Sequence, residues 1–423
     1  MSKRQKSQSS ITVLVASAAV VLTGCDFEVT NPGPIQDEFL NEPGAFEAVV
    51  NGSVRQLKQG LNYTALHGAA VARELHPTGQ TGQYGIEPSN SLGYLDEDEQ
   101  GTPWAATHEG RWLAEDGLRR FQEALGDAEF NAHPAVAEAY LWAGYANRLL
   151  GENMCQAVFD GGAAEPPEAF LTRAEEQFTR AIAIGTAAGA GGVVETATAA
   201  RASVRVGLGD WAGAVADAAG IPTDFDFEMP YHEVGDVGQY NRIAWSSMNQ
   251  PYKAHTVWGT VYEDYYIQTD DPRVPWLETT QVGTGALDCC GAVPWYPQQK
   301  YTETSGIDLS TGTEMRLIEA EALLRDGSFD EAMVIVNDIR AAVGVDPWVV
   351  STLEEAWTAL KRERGIELWL EGRRLNDLRR WQEESTPGDL DPREVPGGES
   401  HLEGQDLCFP ISKAERDTNP NVG

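Results

Sequence analysis

Hydrophobic residues recur at three- and four-residue steps along most of the chain. Residues 45–61 show the pattern clearly, with apolar side chains at Phe46, Val49, Val50, Val54, Leu57 and Leu61. Comparable spacing occurs in residues 107–125, 134–150, 170–185, 196–219 and 362–381. Such a period places apolar side chains along one face of a helix. The pattern therefore predicts a mainly α protein.

Two of these helical segments resemble each other. RASVRVGLGDWAGAVADA (201–218) aligns with EAEALLRDGSFDEAMVIV (319–336), and Gly209 then matches Gly327. Each segment reads as a helix, a glycine-containing turn, an aromatic residue and a second helix with a small residue facing back. A weaker third copy lies within residues 139–184. We therefore predict a scaffold of tetratricopeptide-like helical hairpins, with chance similarity between helix pairs as the alternative.

Two other stretches lack the helical period. Residues 63–103 are rich in Gly, Thr, Gln and Asn, which predicts long loops with short helices. Residues 222–311 are rich in Pro, Gly, Tyr, Trp and Asp. A structureless loop of that length is improbable inside a compact domain. We therefore interpret residues 222–311 as an irregular, loop-rich inserted subdomain.

The N-terminus has the pattern of an export signal. A basic segment (residues 3–6) precedes an apolar run (residues 11–22) that is too short to span a bilayer. The run leads into LTGC, which looks like a bacterial lipobox ending at Cys25. We expect residues 1–24 to be a lipoprotein signal peptide and residues 25–34 to be a tether that begins at the lipidated cysteine. An ordinary secretory signal with a chance cysteine is the alternative.

The charge of the chain limits the choice of partners. The sequence of 423 residues has 31 Lys+Arg and 65 Asp+Glu, for a formal net charge of −34. A surface this acidic repels phosphate backbones, so nucleic acid is not expected as a partner. It also argues against uronate-rich or sulfated polymers as ligands, and attachment to an anionic membrane requires something other than a basic patch.

Four cysteines remain beyond the lipobox, at positions 155, 289, 290 and 408. An even number in an exported chain permits disulfides, and four cysteines allow three pairings. The sequence does not choose among the pairings. A zinc site is a weaker interpretation, because no Cys-x-x-Cys motif or neighbouring histidine supports it.

Residues 362–381 (RERGIELWLEGRRLNDLRRW) combine regular apolar positions with many charges. The spacing alone predicts an amphipathic helix, or two short helices broken near Gly372, with a salt-bridged outer face. The charged positions also resemble the ER-x-x-EL-x-x-EG-x-R-x-x-DL-x-RW signature of the SusD/RagB family. The matching residues are Glu363, Arg364, Glu367, Glu371, Arg374, Asp377, Arg380 and Trp381.

The end of the chain extends this resemblance. Residues 409–411 with Glu415 and residues 419–421 are similar to the closing PIP…E…NPN segment of the family, except that Ser412 replaces the second proline. The resemblance implies a C-terminal SusD/RagB helical region in residues 312–423 and a SusD-like, tetratricopeptide-like region in residues 35–221. It also implies that the signature is structural, with Arg–carboxylate pairs joining the last helices to the repeats.

The family resemblance further implies a function. Its members are outer-membrane lipoproteins that face the cell exterior and help a SusC-like, TonB-dependent transporter to capture nutrients. Oligosaccharides are the usual cargo, and some members take peptides. The resemblance therefore implies a nutrient-binding protein without enzymatic activity. A lipid-anchored glycoside hydrolase and a peptide-binding or purely scaffolding lipoprotein are the alternatives.

The insertion supplies side chains suited to sugars. Flat aromatic rings match the C–H faces of sugars, and neighbouring amides and carboxylates can bind hydroxyl groups. The preferred ligand contacts are Trp104, Tyr231, Trp276, Trp295 and Tyr296. Trp276 and Trp295 follow prolines, which favours a rigid display. The alternative is that these rings form the small core of the insertion.

Signals for catalysis or metal binding are weak. No Gly-x-Ser-x-Gly, His-Glu-x-x-His or phosphate-binding loop occurs, and the seven histidines lack ligand spacing. The acidic run at residues 96–99 lacks the alternating oxygens and glycine of an EF-hand, so a solvated loop is the preferred interpretation. We therefore predict no catalytic residues, no cofactor and no metal.

Overall fold

The computed structural model describes residues 37–78, 88–98, 101–232, 239–248, 253–284, 292–395 and 400–422. The predicted signal peptide and tether, including Cys25, and the adjacent pair Cys289 and Cys290 lie outside the described residues. Within these ranges, no helix combines the length and the apolar character needed to cross a bilayer.

Long helices form the N-terminal half. Two 3-10 turns, Asp37–Asn41 and Pro43–Ala45, precede α1 (Phe46–Val71), α2 (Pro88–Ser91), α3 (Gly101–Phe130), α4 (Pro134–Asn153), α5 (Glu168–Ala188), α6 (Gly191–Gly207) and α7 (Trp211–Ala218). Helix α1 packs on α3, and α3 to α7 pack on one another in chain order. Local chemistry sets some of the helix ends. For example, Gly189 ends α5 in a left-handed conformation that glycine adopts without a steric penalty.

The C-terminal half adds shorter helices and two small sheets. The helices are α8 (Arg242–Met248), α9 (Val261–Thr269), α10 (Gly312–Arg325), α11 (Phe329–Ala342), α12 (Leu353–Glu367), α13 (Arg374–Glu383) and α14 (Lys413–Thr418). The strands are β1 (His76–Pro77), β2 (Asp226–Met229), β3 (His255–Thr256) and β4 (Ile307–Thr311). The described chain is therefore mainly α, as its hydrophobic period predicts.

The aligned segments form helical hairpins, α6 with α7 and α10 with α11. Gly209 and Gly327 occupy equivalent turns with φ angles of 74° and 80°, a region that favours glycine. Ala214 and Ala332 are fully buried where the second helix of each hairpin packs against the first. Helices α4 and α5 pack together as the weaker third copy predicts. The first two pairs share the short glycine turn, whereas residues 154–167 form a longer connection between α4 and α5.

The expectation of loops from residue 63 onward is wrong for the first nine residues, because α1 continues to Val71. The hydrophobic pattern fades there, since Asn62 and several small or polar residues replace the large apolar ones. Asn62 is nevertheless buried, donating to the carbonyl of Tyr240 and accepting from the amide of Arg242. Hydrogen bonds to a distant segment thus stabilise a stretch of helix that its own sequence pattern does not reveal.

The inserted segment begins and ends at one antiparallel ribbon. Strand β2 pairs with β4, from Asp226 opposite Thr311 to Met229 opposite Ile307. Strand β3 pairs with β1, which lies just after α1, so the insertion is also joined to the N-terminal region. Between these ribbons the described residues contain α8, α9 and extended segments. The insertion is therefore irregular but anchored at two places.

A tight turn separates α12 from α13, as the break predicted near Gly372 requires. Gly372 has a φ angle of 73°, and a Cβ atom there would lie 3.2 Å from the Cα atom of Ala65. Glycine thus allows the turn to pack directly on α1. On either side of this turn, Trp369 and Leu378 are completely buried.

The structure shows one cysteine pairing, which the sequence alone does not determine. Cys155, just after α4, is bonded to Cys408 near the end of the chain. Phe409 beside it donates its amide hydrogen to the carbonyl of Asn153, and Cys155 donates to the carbonyl of Phe409. The C-terminal segment is therefore fixed to the N-terminal helices by both covalent and hydrogen bonds.

Candidate functional site

The charged residues of the signature are buried and paired with one another or with neighbouring segments. Glu363 accepts hydrogen bonds from Arg273 (2.7 Å), Arg340 (2.8 Å) and the indole nitrogen of Trp348 (2.7 Å). Arg273 also contacts Glu367 at 2.8 Å. Because Arg273 belongs to the insertion, these contacts join the insertion to α12.

Two bidentate ion pairs connect α13 to its neighbours. Arg364 on α12 binds both carboxylate oxygens of Asp377, at 2.9 and 3.1 Å, and Arg380 binds both oxygens of Glu321 on α10, at 2.6 and 2.9 Å. Trp381 donates its indole hydrogen to the same Glu321. Burial raises the pKa of Asp377, but the guanidinium groups of Arg364 and Arg380 outweigh that effect and hold the pKa at about 2.

The remaining signature residues complete the same network. Arg374 binds both oxygens of Glu394, at 3.0 and 2.9 Å, and Glu371 accepts from Lys300 of the insertion at 2.8 Å. The expectation of a salt-bridged outer face is therefore wrong, because these groups lie inside the protein. The pattern misleads because the outer face of α12 and α13 is covered by α10 and by the insertion.

Three of the five rings preferred as ligand contacts are buried with their polar atoms or faces occupied. Trp104 lies in the core against His108, with ring centroids 4.5 Å apart. Tyr231 donates its hydroxyl hydrogen to the carbonyl of Lys58, and Trp295 donates its indole hydrogen to the carbonyl of Ser247 at 2.9 Å. None of the three offers an open face, and Trp104 belongs to a different apolar cluster from Tyr231.

The other two rings, Trp276 and Tyr296, stack on each other. Their centroids are 4.9 Å apart and their planes differ by 16°. Tyr266 on α9 also contacts Trp276, with ring centroids 5.8 Å apart and planes that differ by 57°. We call Tyr266, Trp276 and Tyr296 the aromatic ladder. Trp276 is 8% exposed and supports the two tyrosines, which are half-buried.

Backbone hydrogen bonds fix the position of the ladder. Tyr296 donates its amide hydrogen to the hydroxyl of Thr256 and accepts at its carbonyl from the amide of Val257. Trp276 pairs with Gln298 as an isolated antiparallel bridge. The rings are therefore held before any ligand arrives, which reduces the entropic cost of binding.

Apolar and acidic residues are neighbours of the ladder residues in the chain. Ile267 is 67% exposed and Leu277 is 53% exposed, beside Tyr266 and Trp276 in the chain. Burial, followed by the charges of Glu278 and Glu263, raises the pKa of the Tyr296 hydroxyl. The surface therefore combines ring faces with hydrogen-bond acceptors.

Tyr266 is the member of the ladder that the sequence analysis misses. Tyr265 and Tyr266 are adjacent in α9, and neighbouring residues of a helix point about 100° apart. One of the two tyrosines in such a pair is therefore expected on each side of the helix. That spacing is the available signal, and it is weak because nothing local says which side faces solvent.

Three carboxylates on the β2–β4 ribbon also lie close together. Oxygen atoms of Asp226, Glu228 and Asp308 all lie within 4.8 Å of one another. Burial and mutual repulsion raise the pKa values of Asp226 and Glu228. A cation could be held by such oxygens. Exposed acidic groups are also often adjacent without an ion, and no further observation on the described residues points to one.

The acidic run at residues 96–98 makes surface ion pairs with the last helix. Arg416 contacts Glu97 at 2.9 Å and Lys413 contacts Asp98 at 3.8 Å. Asp96 accepts a hydrogen bond from the backbone amide of Asp98. The carboxylates therefore connect this loop to α14.

Comparison with known proteins gives both a family and a fold. The family model described as "SusD family" matches residues 298–422. No curated protein matches the chain. Among solved structures, a SusD superfamily protein from Bacteroides vulgatus is 16% identical, with 91% of this chain and 99% of that chain covered and a TM-score of 0.63.

Two further structures are similar in fold. Surface glycan-binding protein A from Bacteroides thetaiotaomicron, solved in complex with laminarihexaose, is 13% identical with a TM-score of 0.67, covering 90% of this chain and 98% of that one. A laminarin-binding SusD-like protein is 16% identical with a TM-score of 0.62 over the same shares. The C-terminal part of the chain thus matches the SusD family model, and the described chain as a whole shares the fold of these SusD-like structures.

Proposed function

We propose that this protein is a non-enzymatic lipoprotein of the outer-membrane surface that binds an oligosaccharide at the aromatic ladder. In this proposal it then delivers the oligosaccharide to a SusC-like, TonB-dependent transporter. The observation that carries the proposal is the stacked pair Trp276 and Tyr296, with Tyr296 half-buried at the surface. The laminarihexaose complex of a protein with the same fold supports the choice of ligand class.

The chemistry of the ladder suits a sugar chain. One face of a pyranose ring presents C–H groups that pack against a flat aromatic ring, and the edges present hydroxyls. Tyr296 supplies the ring, while Glu263 and Glu278 supply acceptors for hydroxyl hydrogens. Ile267 and Leu277, which follow Tyr266 and Trp276 in the chain, are exposed apolar side chains in the same region of the sequence. A ligand held only by such contacts keeps its glycosidic bonds.

The membrane anchor and the transporter are supported by the sequence. The lipobox at Cys25 predicts a lipid attachment, and the family resemblance implies the partner. Expression of the full chain with its signal peptide in a bacterium that processes lipoproteins tests the anchor. The Cys25→Ala variant should appear in the soluble fraction, while the wild type should fractionate with outer membranes and be purified together with a large barrel protein.

Binding at the ladder is tested by replacing Tyr296 with alanine. Isothermal titration of purified mature protein with laminarihexaose and other neutral hexasaccharides should show affinity that is at least about tenfold weaker, which corresponds to about 1.4 kcal/mol. Tyr296→Phe should retain most of the affinity because the ring remains. Trp112, which is 50% exposed on α3, provides the matched control, and Trp112→Ala should bind as the wild type does.

Two outcomes would contradict the proposal. Equal affinity of the Tyr296→Ala and wild-type proteins for every hexasaccharide would exclude the ladder as the site. Release of reducing sugar ends during incubation with the wild-type protein, measured over hours, would favour the hydrolase alternative instead. Both measurements use the same preparations, so an inactive sample is recognised by its melting temperature.

A further inference from the structure

Helix α9 borders a cleft as well as the ladder. Tyr266 faces the ladder, whereas Tyr262 and Tyr265 line a cleft between α9, α12 and residues 391–394. The cleft has a volume of about 320 Å³. That volume is at the lower end of the range for small-molecule sites in proteins. We call it the α9 cleft.

Two rigid rings form one wall of the α9 cleft. Tyr265 and Trp348 lie with their centroids 6.2 Å apart. The hydroxyl of Tyr265 donates to Asp271 and accepts from Arg340, while the indole of Trp348 donates to the buried Glu363. Both rings are only partly buried although their polar atoms are bonded inside the protein. The guanidinium of Arg340 lies over the Trp348 ring, 4.1 Å from its centroid, and the parts of both rings that remain exposed are pre-positioned for an apolar surface of a ligand.

Among the residues that line the cleft, Tyr262 has a polar group without a partner in the described part of the chain. Tyr262 is 2% exposed, and its hydroxyl makes no hydrogen bond with any described residue. The hydroxyl fits against Gly365, where an added Cβ atom would lie 3.0 Å from the oxygen. Buried polar groups are usually bonded, and an exception requires an explanation. A ligand oxygen that reaches this hydroxyl would supply the missing acceptor.

The rim of the cleft offers both donors and acceptors. Arg393 contacts Asp391 at 2.9 Å and Asp264 at 3.0 Å. Arg362 is exposed and, among the described residues, has no carboxylate within ion-pair distance. Almost every other arginine in the described part of the chain forms an ion pair or a hydrogen bond within the protein. The free guanidinium hydrogens of Arg362 are thus available to a ligand oxygen.

The charges that line the cleft cancel. Three arginines (Arg362, Arg374 and Arg393) and three carboxylates (Asp264, Asp391 and Glu394) face it, whereas the whole chain carries −34. A neutral cleft does not select an ion. Hydroxyl groups, which both donate and accept, match a mixed set of guanidinium and carboxylate groups, and aromatic walls match the C–H face of a sugar ring.

From this geometry we propose that the α9 cleft is a second carbohydrate site, which takes one neutral hexose unit and is separate from the aromatic ladder. The inference rests on the proposed function in so far as the chain binds glycans. Because both sites border α9, one long glycan can occupy them together. Simultaneous occupancy makes the second contact intramolecular and strengthens the binding of long chains over short ones.

The decisive variant is Tyr262→Phe, which removes only the unpartnered hydroxyl. Since that hydroxyl bonds to no described residue, the melting temperature should stay the same or rise. Binding of free hexoses (glucose, galactose and mannose), followed by ligand-observed saturation-transfer NMR, should weaken about three- to tenfold, the usual effect of losing one hydrogen bond to a ligand. Arg362→Ala should weaken hexose binding by a similar factor.

Matched controls separate the two sites. Arg180, an exposed arginine on α5, provides the control for Arg362, and Arg180→Ala should bind hexoses as the wild type does. Tyr296→Ala should retain hexose binding in the cleft while it loses affinity for hexasaccharides. In the double variant Tyr296→Ala with Arg362→Ala, both types of binding should be weakened by the factors expected for the single variants.

Several results would overturn the second site. Unchanged hexose affinity in both Tyr262→Phe and Arg362→Ala would do so, as would loss of hexose binding in Tyr296→Ala alone. Stronger binding of glucuronate than of glucose would contradict a neutral ligand. If instead the cleft variants lose hexose binding while Tyr296→Ala binds hexasaccharides normally, the cleft stands and the ladder fails as the site.

Discussion

The signature network and the aromatic ladder use side chains in opposite ways. Around Asp377, every charge is buried and directed at a partner within the protein, as in its bonds to Arg364 and Arg380. At the ladder, the polar backbone atoms are bonded internally, but the ring of Tyr296 remains partly open to solvent. The first arrangement fixes how segments meet. The second leaves interaction surface uncommitted, which is what a binding site requires.

The largest loss of unfolding free energy is expected when Asp377 is replaced. Replacement by alanine would leave the buried guanidinium groups of Arg364 and Arg380 without this carboxylate. Breaking a buried ion pair costs about 3–5 kcal/mol of unfolding free energy. Urea denaturation of Asp377→Ala should show this loss, whereas Glu123→Ala, which breaks an exposed pair with Arg119, should change the free energy by less than about 1 kcal/mol.

A loss at Asp377 as small as at Glu123 would mean that the buried network does not stabilise the fold more than a surface pair does. The ladder should be affected little, because Asp377 does not contact it. Hexasaccharide affinity per folded molecule should therefore remain within about twofold of the wild-type value. That change is smaller than the one expected from the loss of one hydrogen bond to the ligand.

Trp295 and Tyr296, which are adjacent in the insertion, should differ in how much they contribute to the unfolding free energy. Trp295 is buried and bonded to the carbonyl of Ser247, so Trp295→Ala should lower the unfolding free energy by about 3–5 kcal/mol. Tyr296→Ala should cost only about 1 kcal/mol, because its ring is already half exposed. Calorimetric melting of both variants measures the difference. Equal losses would show that the two rings do not differ in burial.

A smaller effect is predicted at Glu74, and it depends on pH. Burial raises the pKa of this carboxyl to about 7, against the opposing effect of a hydrogen bond from the amide of Leu370. Below pH 4.5 the group is protonated in both the folded and the unfolded protein. Between the two pKa values the unfolded chain releases the proton and the folded chain keeps it, so stability falls as pH rises, by up to about 3 kcal/mol.

Glu74→Gln removes this dependence while it preserves the acceptor for Leu370. The variant should match the wild type near pH 4.5 and become more stable than it by pH 8, in urea denaturation at several pH values. Glu123→Gln, at an exposed position, should show no such divergence. A constant difference between Glu74→Gln and the wild type across the whole pH range would contradict the prediction.

Much of the scaffold can be predicted from the sequence because its determinants are local. The helical period, and the turn glycines Gly209 and Gly327, are visible in short windows of sequence. The exception is the end of α1, where Asn62 is buried by hydrogen bonds to Tyr240 and Arg242. Such contacts link residues far apart in the chain, and no local pattern reveals them.

The candidate site is harder to predict for the same reason. Trp295 and Tyr296 share nearly the same sequence context, with a proline on each side of the pair, yet one is buried and the other is open. The partner that buries Trp295 is the carbonyl of Ser247, nearly fifty residues away. Composition thus identifies the ring-rich segment, whereas the assignment of individual rings depends on tertiary contacts.

The ribbon of β2 and β4 has a consequence for how this architecture can diversify. Because Asp226 and Thr311 are direct neighbours, the polypeptide enters and leaves the insertion at the same place on the helical framework. The length of the segment between those residues can therefore change without moving the helices on either side, provided that its buried contacts with the framework, such as those of Arg273 and Lys300, are kept. Ligand specificity can therefore change through substitutions within this one segment, in evolution or by design.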